Sequence, residues 1–426
     1  MTPANEGSEA KKRPSYLKIL SNRSFFSLWF GQLVSVSGDA IFDVALLWLV
    51  LTTTGSVFLV GITQAVIYLP TVVVGPLAGV YVDRFNRKTV ILFSNVIQGI
   101  IVAAISFLYV ANALPIQLLL VLVFAMYSAG RFFYAATRAM IPRLAEERRD
   151  LVAANSLFTL TTSFNQFASY AFGGIAIVIL GVVLPIEYDS FTFFFAAFMT
   201  LFIVKRYGEV VGQADRILPS PPKKSFGFDF TEGLRHFLSS KLLIELVVLG
   251  AVINFSLGGV FALLAPYAKF RIGGNASTYG FILAAFSLGL FAGAYLVGKL
   301  RNVREFVGTL LFAVVIALGA VIAFIGLSNT QFVSFGLFFI LGFLLSIANV
   351  PLNALFQAKI PQVVFGRVIT VITALLGVAQ PVSAVVSGGV ATVFSIGGAY
   401  TAYGILAISI SIAAYFTFNE LRTTKY

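Results

Sequence analysis

Residues 57–111 read VFLVGITQAVIYLPTVVVGPLAGVYVDRFNRKTVILFSNVIQGIIVAAISFLYVA. Two apolar runs, 57–82 and 89–111, flank a short turn that holds Asp83, Arg84, Arg87 and Lys88. Each run reaches the roughly 20 apolar residues that cross a hydrocarbon core. Neither alternates polar with apolar as a barrel strand would. A backbone in lipid must close its own hydrogen bonds, which leaves helices. The stretch predicts a membrane hairpin with its charges gathered at the turn.

The same pattern fills the chain. Of 426 residues 59% are hydrophobic and only 11% charged, with a mean hydropathy of +0.95; soluble domains carry about 25% charged residues. Lipid must be the solvent. Working outward from the hairpin, spans are expected at 25–51, 57–82, 89–111, 116–140, 152–184 and 188–204, then at 242–267, 278–298, 305–327, 332–357, 367–394 and 398–418. The expected class is an all-α membrane protein of twelve transmembrane helices.

A net charge of +12 invites a nucleic-acid reading, and the placement of the charges rejects it. Lys and Arg gather in the tail up to Arg23, the 83–88 turn, Arg131 to Arg149, the 205–241 linker, 299–304, Lys359, Arg367 and the C-terminus. The alternate loops 52–56, 112–115, 184–190, 328–331 and 395–397 hold none, and only Lys269 and Arg271 lie outside the pattern. Excess Lys and Arg marks the cytoplasmic side. A multi-pass cell-membrane protein with both termini cytoplasmic is expected. The hydrophobic stretch after Lys11–Arg13 is too long for a cleaved signal peptide and lacks a small-residue cleavage site. Zero cysteines exclude disulfides and thiolate metal sites.

The chain also repeats itself at an offset of 218 to 219 residues. Leu20-Ser-Asn-Arg23 recurs as Leu238-Ser-Ser-Lys241, Gly61 and Gly79 fall on Gly280 and Gly298, and Ile141-Pro142 falls on Ile360-Pro361. Two pseudo-symmetric six-helix bundles follow, at 25–204 and 242–418, with tails at 1–24 and 419–426. Parallel repeats of this kind build transporters whose substrate site lies where the halves meet. The 205–241 linker carries Pro219, Pro221 and Pro222, then Phe230, Leu234 and Phe237 at helical spacing, which predicts a surface amphipathic helix. His236, the sole histidine, sits there with no ligand partner nearby.

The turn Gly79-Val-Tyr-Val-Asp83-Arg84-Phe85-Asn86-Arg87-Lys88 resembles the signature loop of the major facilitator superfamily, with Asn86 where glycine is usual. Asn tolerates the left-handed backbone such a position needs. Ile141-Pro-Arg-Leu with Leu151-Val-Ala-Ala-Asn-Ser-Leu, and Ile360-Pro-Gln-Val-Val-Phe-Gly-Arg-Val368, are similar to the macrolide-efflux-type branch of multidrug exporters. The resemblance covers nearly the whole chain. It implies the superfamily fold and alternating access, a gate loop of Gly79, Asp83, Arg84, Arg87 and Lys88 in which Asp83 and Arg87 latch the inner side, and a cavity lined by spans one, four, seven and ten. The Gly-Pro motif common in span five of the superfamily's drug/proton antiporters is absent from Ala171-Phe-Gly-Gly-Ile175.

Charges within the spans carry the chemistry. Trp29 and Trp48 lie about 28 Å apart along one helix, matching the hydrocarbon thickness. Asp39 therefore falls near the midplane, with Asp43 one turn outward and Gln32 two turns inward. An unpaired charge there costs roughly 3 kcal/mol or more. In span four Tyr127, Arg131, Tyr134 and Arg138 form one polar stripe, and Arg131 is placed to reach Asp39. Asn349, Asn353 and Gln357 share a face of span ten with Ser346, while Asn254 and Phe261 mark span seven. Asp39, Asp43 and Arg131 are the expected proton-coupling groups and the others the expected cavity wall.

These residues predict a proton-coupled exporter of amphipathic or lipophilic small molecules, working as a monomer in the bilayer with protons as partner and no cofactor. A metal-cation or siderophore exporter of the same fold is the alternative, and a non-transporting receptor a third class. Gly293-Ala-Tyr-Leu-Val-Gly-Lys-Leu300 nearly spells a phosphate-binding loop, but Leu300 replaces the Ser or Thr that would hold magnesium. No enzyme is expected.

Overall fold

The computed structural model describes residues 16–82, 84–144, 148–204, 226–299, 307–361 and 363–424. Asp83, its counterpart Asn302 and linker residues 205–225 lie outside these. The first half runs α1 (Tyr16–Ser21), α2 (Arg23–Thr54), α3 (Val57–Val73), α4 (Gly75–Val82), α5 (Arg87–Val110), α6 (Ile116–Leu144), α7 (Arg148–Leu180) and α8 (Val183–Leu201). After the linker helix α9 (Phe226–Ser239) come α10 (Lys241–Ala262), α11 (Leu264–Pro266), a π-helical turn (Tyr267–Arg271) and α12 (Ala276–Lys299). The rest is α13 (Val307–Leu327), α14 (Gln331–Lys359), α15 (Phe365–Phe394), α16 (Ile396–Thr417) and α17 (Asn419–Thr423).

The repeated tetrapeptides prove to be helix caps. Asn22 and Ser240 are both extended, and their side chains accept from the first backbone N–H groups of α2 and α10. Among the described residues ten helices are long and apolar enough to cross a membrane, and α3 with α4, bent by 41°, makes an eleventh. The bend falls at Val74, directly before Gly75-Pro76 and one turn after Pro70, where prolines remove ladder donors. The remaining predicted span is α8, whose hydropathy is lowered by Glu187 and Asp189 although it packs inside the first bundle against α2 and α5. Its start also moves. The break expected at 184–190 falls at Gly181, which turns at φ +75°, and Pro185 joins the first turn of α8, where a missing N–H costs nothing.

The main packing contacts within each half have counterparts one repeat later. In the first half α2 packs on α7 and α8, and α5 on α6 and α8; in the second, α10 packs on α15 and α16, and α13 on α14 and α16. The halves meet through α3 on α15 and α7 on α12, a pair that the same repeat exchanges. Small residues allow that approach, as in close membrane crossings. A Cβ on Gly61 would stand 2.7 Å from the Ala384 carbonyl and 3.1 Å from Gly388 Cα. One on Gly280 would stand 2.4 Å from the Tyr170 carbonyl and 3.0 Å from Gly174 Cα. Both crossings lie toward the end of the bundle opposite the termini, the far side.

On the termini side the halves are held less directly. Linker helix α9 belongs to the second half: Phe237 is buried, Phe230 and Leu234 pack on the core, Gly233 touches the Arg367 backbone, and Glu232 pairs with Arg367 at 2.8 Å. The three predicted apolar positions of the amphipathic helix thus face protein.

Candidate functional site

Asp43 of α2 points into a cavity of about 260 Å³ built by both halves. Gln64 and Tyr68 come from α3, Gln166 and Tyr170 from α7, Phe261 from α10, and Tyr279 and Phe286 from α12. Asp43 is the one charged side chain in that wall. Its Oδ1 accepts a hydrogen bond from the Tyr127 hydroxyl of α6. Gln166 donates to the Tyr170 hydroxyl at 2.9 Å, and Phe261 meets Phe286 edge-on with centroids 4.9 Å apart. Aromatic faces around one carboxylate suit a ligand with an apolar body, and they attract positive charge.

Further cavities adjoin the site toward the termini side. Gln166, Ser287 and Leu290 are shared with a cavity of about 330 Å³ between α7 and α12. Thr159 and Ser163 carry that cavity on to a third, of about 510 Å³, reaching Gln32, Tyr134 and Arg138. Tyr134 also borders a fourth, of about 530 Å³, between Gly79 and Arg131 in the first half and Phe230 and Arg367 in the second. On the far side the glycine crossings and a fully buried segment, Leu263 to Ala265 with Tyr267 and Ala268, close the path.

Most expected residues lie along this route, with changes in role. Asp39 is half-buried beside Asp43, yet among the described residues no ion pair joins it to Arg131. Arg131 instead borders the termini-side cavity, and its Nε has no hydrogen-bond partner. Arg138 stacks over the Tyr134 ring at 4.7 Å. The buried Oε1 of Gln32 is unpartnered. Phe261 borders the Asp43 cavity. Asn254 turns back to bond the Gly250 carbonyl of its own helix at 2.9 Å.

The span-ten stripe departs from expectation. Asn349, Asn353 and Gln357 are exposed along α14, Asn353 donates to the Asn349 carbonyl at 2.8 Å, and none borders the Asp43 cavity. Ser346, one turn away, borders the neighbouring cavity and bonds the Leu290 carbonyl at 2.7 Å.

The gate loop also differs in detail. Gly79 borders the termini-side cavity and Arg84 is exposed. Asn86 is extended at φ −62°, ψ 117°, and caps α5 through the Thr89 N–H, so it supplies a cap rather than a left-handed turn. Lys88 binds the Leu201 and Ile203 carbonyls at 2.8 and 2.6 Å, fixing the end of α8 within its own half. Arg87 is half-buried at the start of α5, and its expected partner Asp83 lies outside the described residues.

Two features escaped the sequence reading. The tyrosines and glutamines around Asp43 come from separate helices, so no local period brings them together. Asp189, where the expected 184–190 loop and 188–204 span overlap, was not singled out; it is fully buried in α8. Among the described residues no group of three or more His, Cys, Asp or Glu is placed to share a metal ion.

A helical membrane bundle of two matched halves, with a largely apolar cavity around one carboxylate at their junction, defines a membrane transporter. A family model described as transmembrane secretion effector, of the major facilitator type, matches residues 15–425, and the chain belongs to that family. Macrolide efflux protein A of Streptococcus pyogenes is 24% identical over 411 residues, covering 93% of this chain and 96% of that protein. Multidrug efflux pump Tap of Mycolicibacterium fortuitum is 25% identical over 396 residues, covering 91% and 94%. Among solved structures, a bacterial homologue of the human lysosomal transporter Spinster, inward-facing and occupied, superposes with a TM-score of 0.69 at 12% identity, covering 94% of this chain and 97% of that one. The nucleoside transporter NupG superposes at 0.72 and 10% identity, covering 94% and 99%. The fold is that of the major facilitator superfamily.

Proposed function

We propose that this transporter is a proton-coupled exporter of amphipathic or lipophilic small molecules, working by alternating access between halves 25–204 and 242–418 across the cell membrane, with both termini in the cytoplasm. The observation that carries this reading is the Asp43 cavity. It is walled by both halves, adjoins further cavities toward the termini side and is bounded toward the far side by the glycine crossings. That arrangement supports the reading of an inward-facing state.

A carboxylate amid rings serves two ligands that exclude one another. A proton neutralises Asp43, whereas a positively charged or polar head group is held best when Asp43 is ionised. Asp39, one turn away, offers the proton a neighbouring seat. Competition of this kind couples proton arrival from outside to substrate release outside. The likeness to macrolide and multidrug efflux proteins supports the direction of transport.

Purified protein in vesicles with an imposed pH gradient, offered a panel of lipophilic dyes and antibiotics with and without uncoupler, tests the function. Uncoupler-sensitive accumulation is expected. For the site, Asp39→Asn is expected to insert normally and lose that accumulation; accumulation at the wild-type level removes Asp39 from the mechanism.

A further inference from the structure

The side chain of Asp189 is fully buried and has almost no donor. Thr192 Oγ1 lies 3.3 Å from Oδ1, but the same hydroxyl makes a better bond of 2.8 Å to the Asp189 carbonyl, and Oδ2 has no partner. No Lys or Arg touches it among the described residues. An ionised carboxylate in such surroundings bears its full desolvation cost, and the usual escape is to carry a proton.

Position links it to the coupling site. A Cβ on Gly38 would crowd Asp189 Oδ1 and Thr192 Oγ1 and stand 3.1 Å from Asp189 Cα, so α8 lies directly against α2 there. Successive residues on a helix are rotated by about 100°. Asp39 therefore sits about a quarter turn round α2 from the Asp189 contact, and Asp43 about 40° further, in the cavity. Three carboxylates are ordered around one helix, from bundle interior to substrate site.

The other titratable groups of the neighbourhood are accounted for. On the α2 side they are Asp39 and Asp43, with Tyr127 of α6 hydrogen-bonded to Asp43. Glu187 accepts from Ser106 of α5 at 3.1 Å, Tyr188 meets Ser37 of α2, and Lys88 of α5 serves the far end of α8.

We propose that Asp189 is a proton-carrying group of the transport cycle, loaded through Asp39 across α2 and never in contact with the substrate. No hydrogen bond joins Asp39 to Asp189 as they stand; the step is a bare proton transfer, made when the Asp39 side chain turns toward α8, in which the Asp39 acid gives its proton to the Asp189 carboxylate and is left ionised, with no other bond changed. This rests on the proton-coupled reading above. Asp189 would then store a proton while Asp39 and Asp43 answer to the substrate.

Infrared difference spectroscopy of the purified, lipid-reconstituted protein, with pH steps and then with a transported dye, tests the proposal beside vesicle transport. Wild type is expected to show a carboxylic C=O band that Asp189→Asn abolishes. In vesicles that variant is expected to lose tenfold or more of pH-driven accumulation, while dye-for-dye exchange falls no more than twofold. Thr192→Val, which keeps the acid and removes its hydroxyl, is expected to shift the pH at which the band disappears. A band unchanged by both substitutions overturns the proposal, as does wild-type accumulation by Asp189→Asn. Wild-type protein that shows the band yet moves dye without a pH gradient would sink the coupling reading alone.

Discussion

The Tyr127 hydroxyl donates to Asp43 Oδ1 and so ties α6 to α2 inside the first half. It fixes which oxygen of Asp43 remains for the cavity. A hydrogen bond to a charged group is worth about 1.5–3 kcal/mol. Tyr127→Phe keeps the ring and removes the donor, and it is expected to slow transport about tenfold while leaving the folded fraction unchanged. Initial dye efflux rates per inserted molecule measure this.

The glycine crossings predict a conformational bias. At Gly280 a Cβ would meet the Tyr170 carbonyl at 2.4 Å, a backbone atom that cannot swing aside. Gly280→Val should hold the far side apart. The absence of native cysteine makes the check clean. A cysteine introduced at Tyr68, in the cavity wall, is expected to react faster with an impermeant maleimide from the far side in the Gly280→Val background than alone.

Lys88 predicts a stability effect instead of a gating one. It satisfies two carbonyls at the end of α8, where a cation also meets the helix dipole. Lys88→Met is expected to cost about 1 kcal/mol, read as a lowered Tm in detergent.

Glu232 and Gly233 on α9 separate charge from shape. The Glu232–Arg367 pair is partly exposed, and such pairs contribute about 0–1 kcal/mol. Glu232→Gln should be nearly silent in Tm. Gly233→Val would set a Cβ 2.6 Å from the Arg367 carbonyl, so it is expected to lower Tm and expose the linker to protease.

The helices were legible because bilayer thickness imposes a length and hydrophobicity that no other solvent asks for. Asn22 and Ser240 could be paired from sequence because a cap is a local event. Asp39 and Asp43 stood out because charge is rare at that depth. The Asp43 cavity was only partly legible: Phe261 was placed there, but Tyr68, Tyr170 and Tyr279 meet only through packing of distant helices. Asp189 was hidden by a proline. Pro185 suggested a turn, whereas Gly181 makes it, so Asp189, at the edge of the expected loop and span, stands well inside α8. The Asn349, Asn353 and Gln357 stripe was real, but a polar face on a helix says nothing of what it faces.

Simultaneous recording of proton and dye movement in vesicles holding the purified chain bears most directly on the account. Dye leaving the termini side against a proton entering from the other, both abolished in Asp43→Asn, is the predicted result. Dye movement that continues at the wild-type rate in that variant, with no accompanying proton flux, contradicts it.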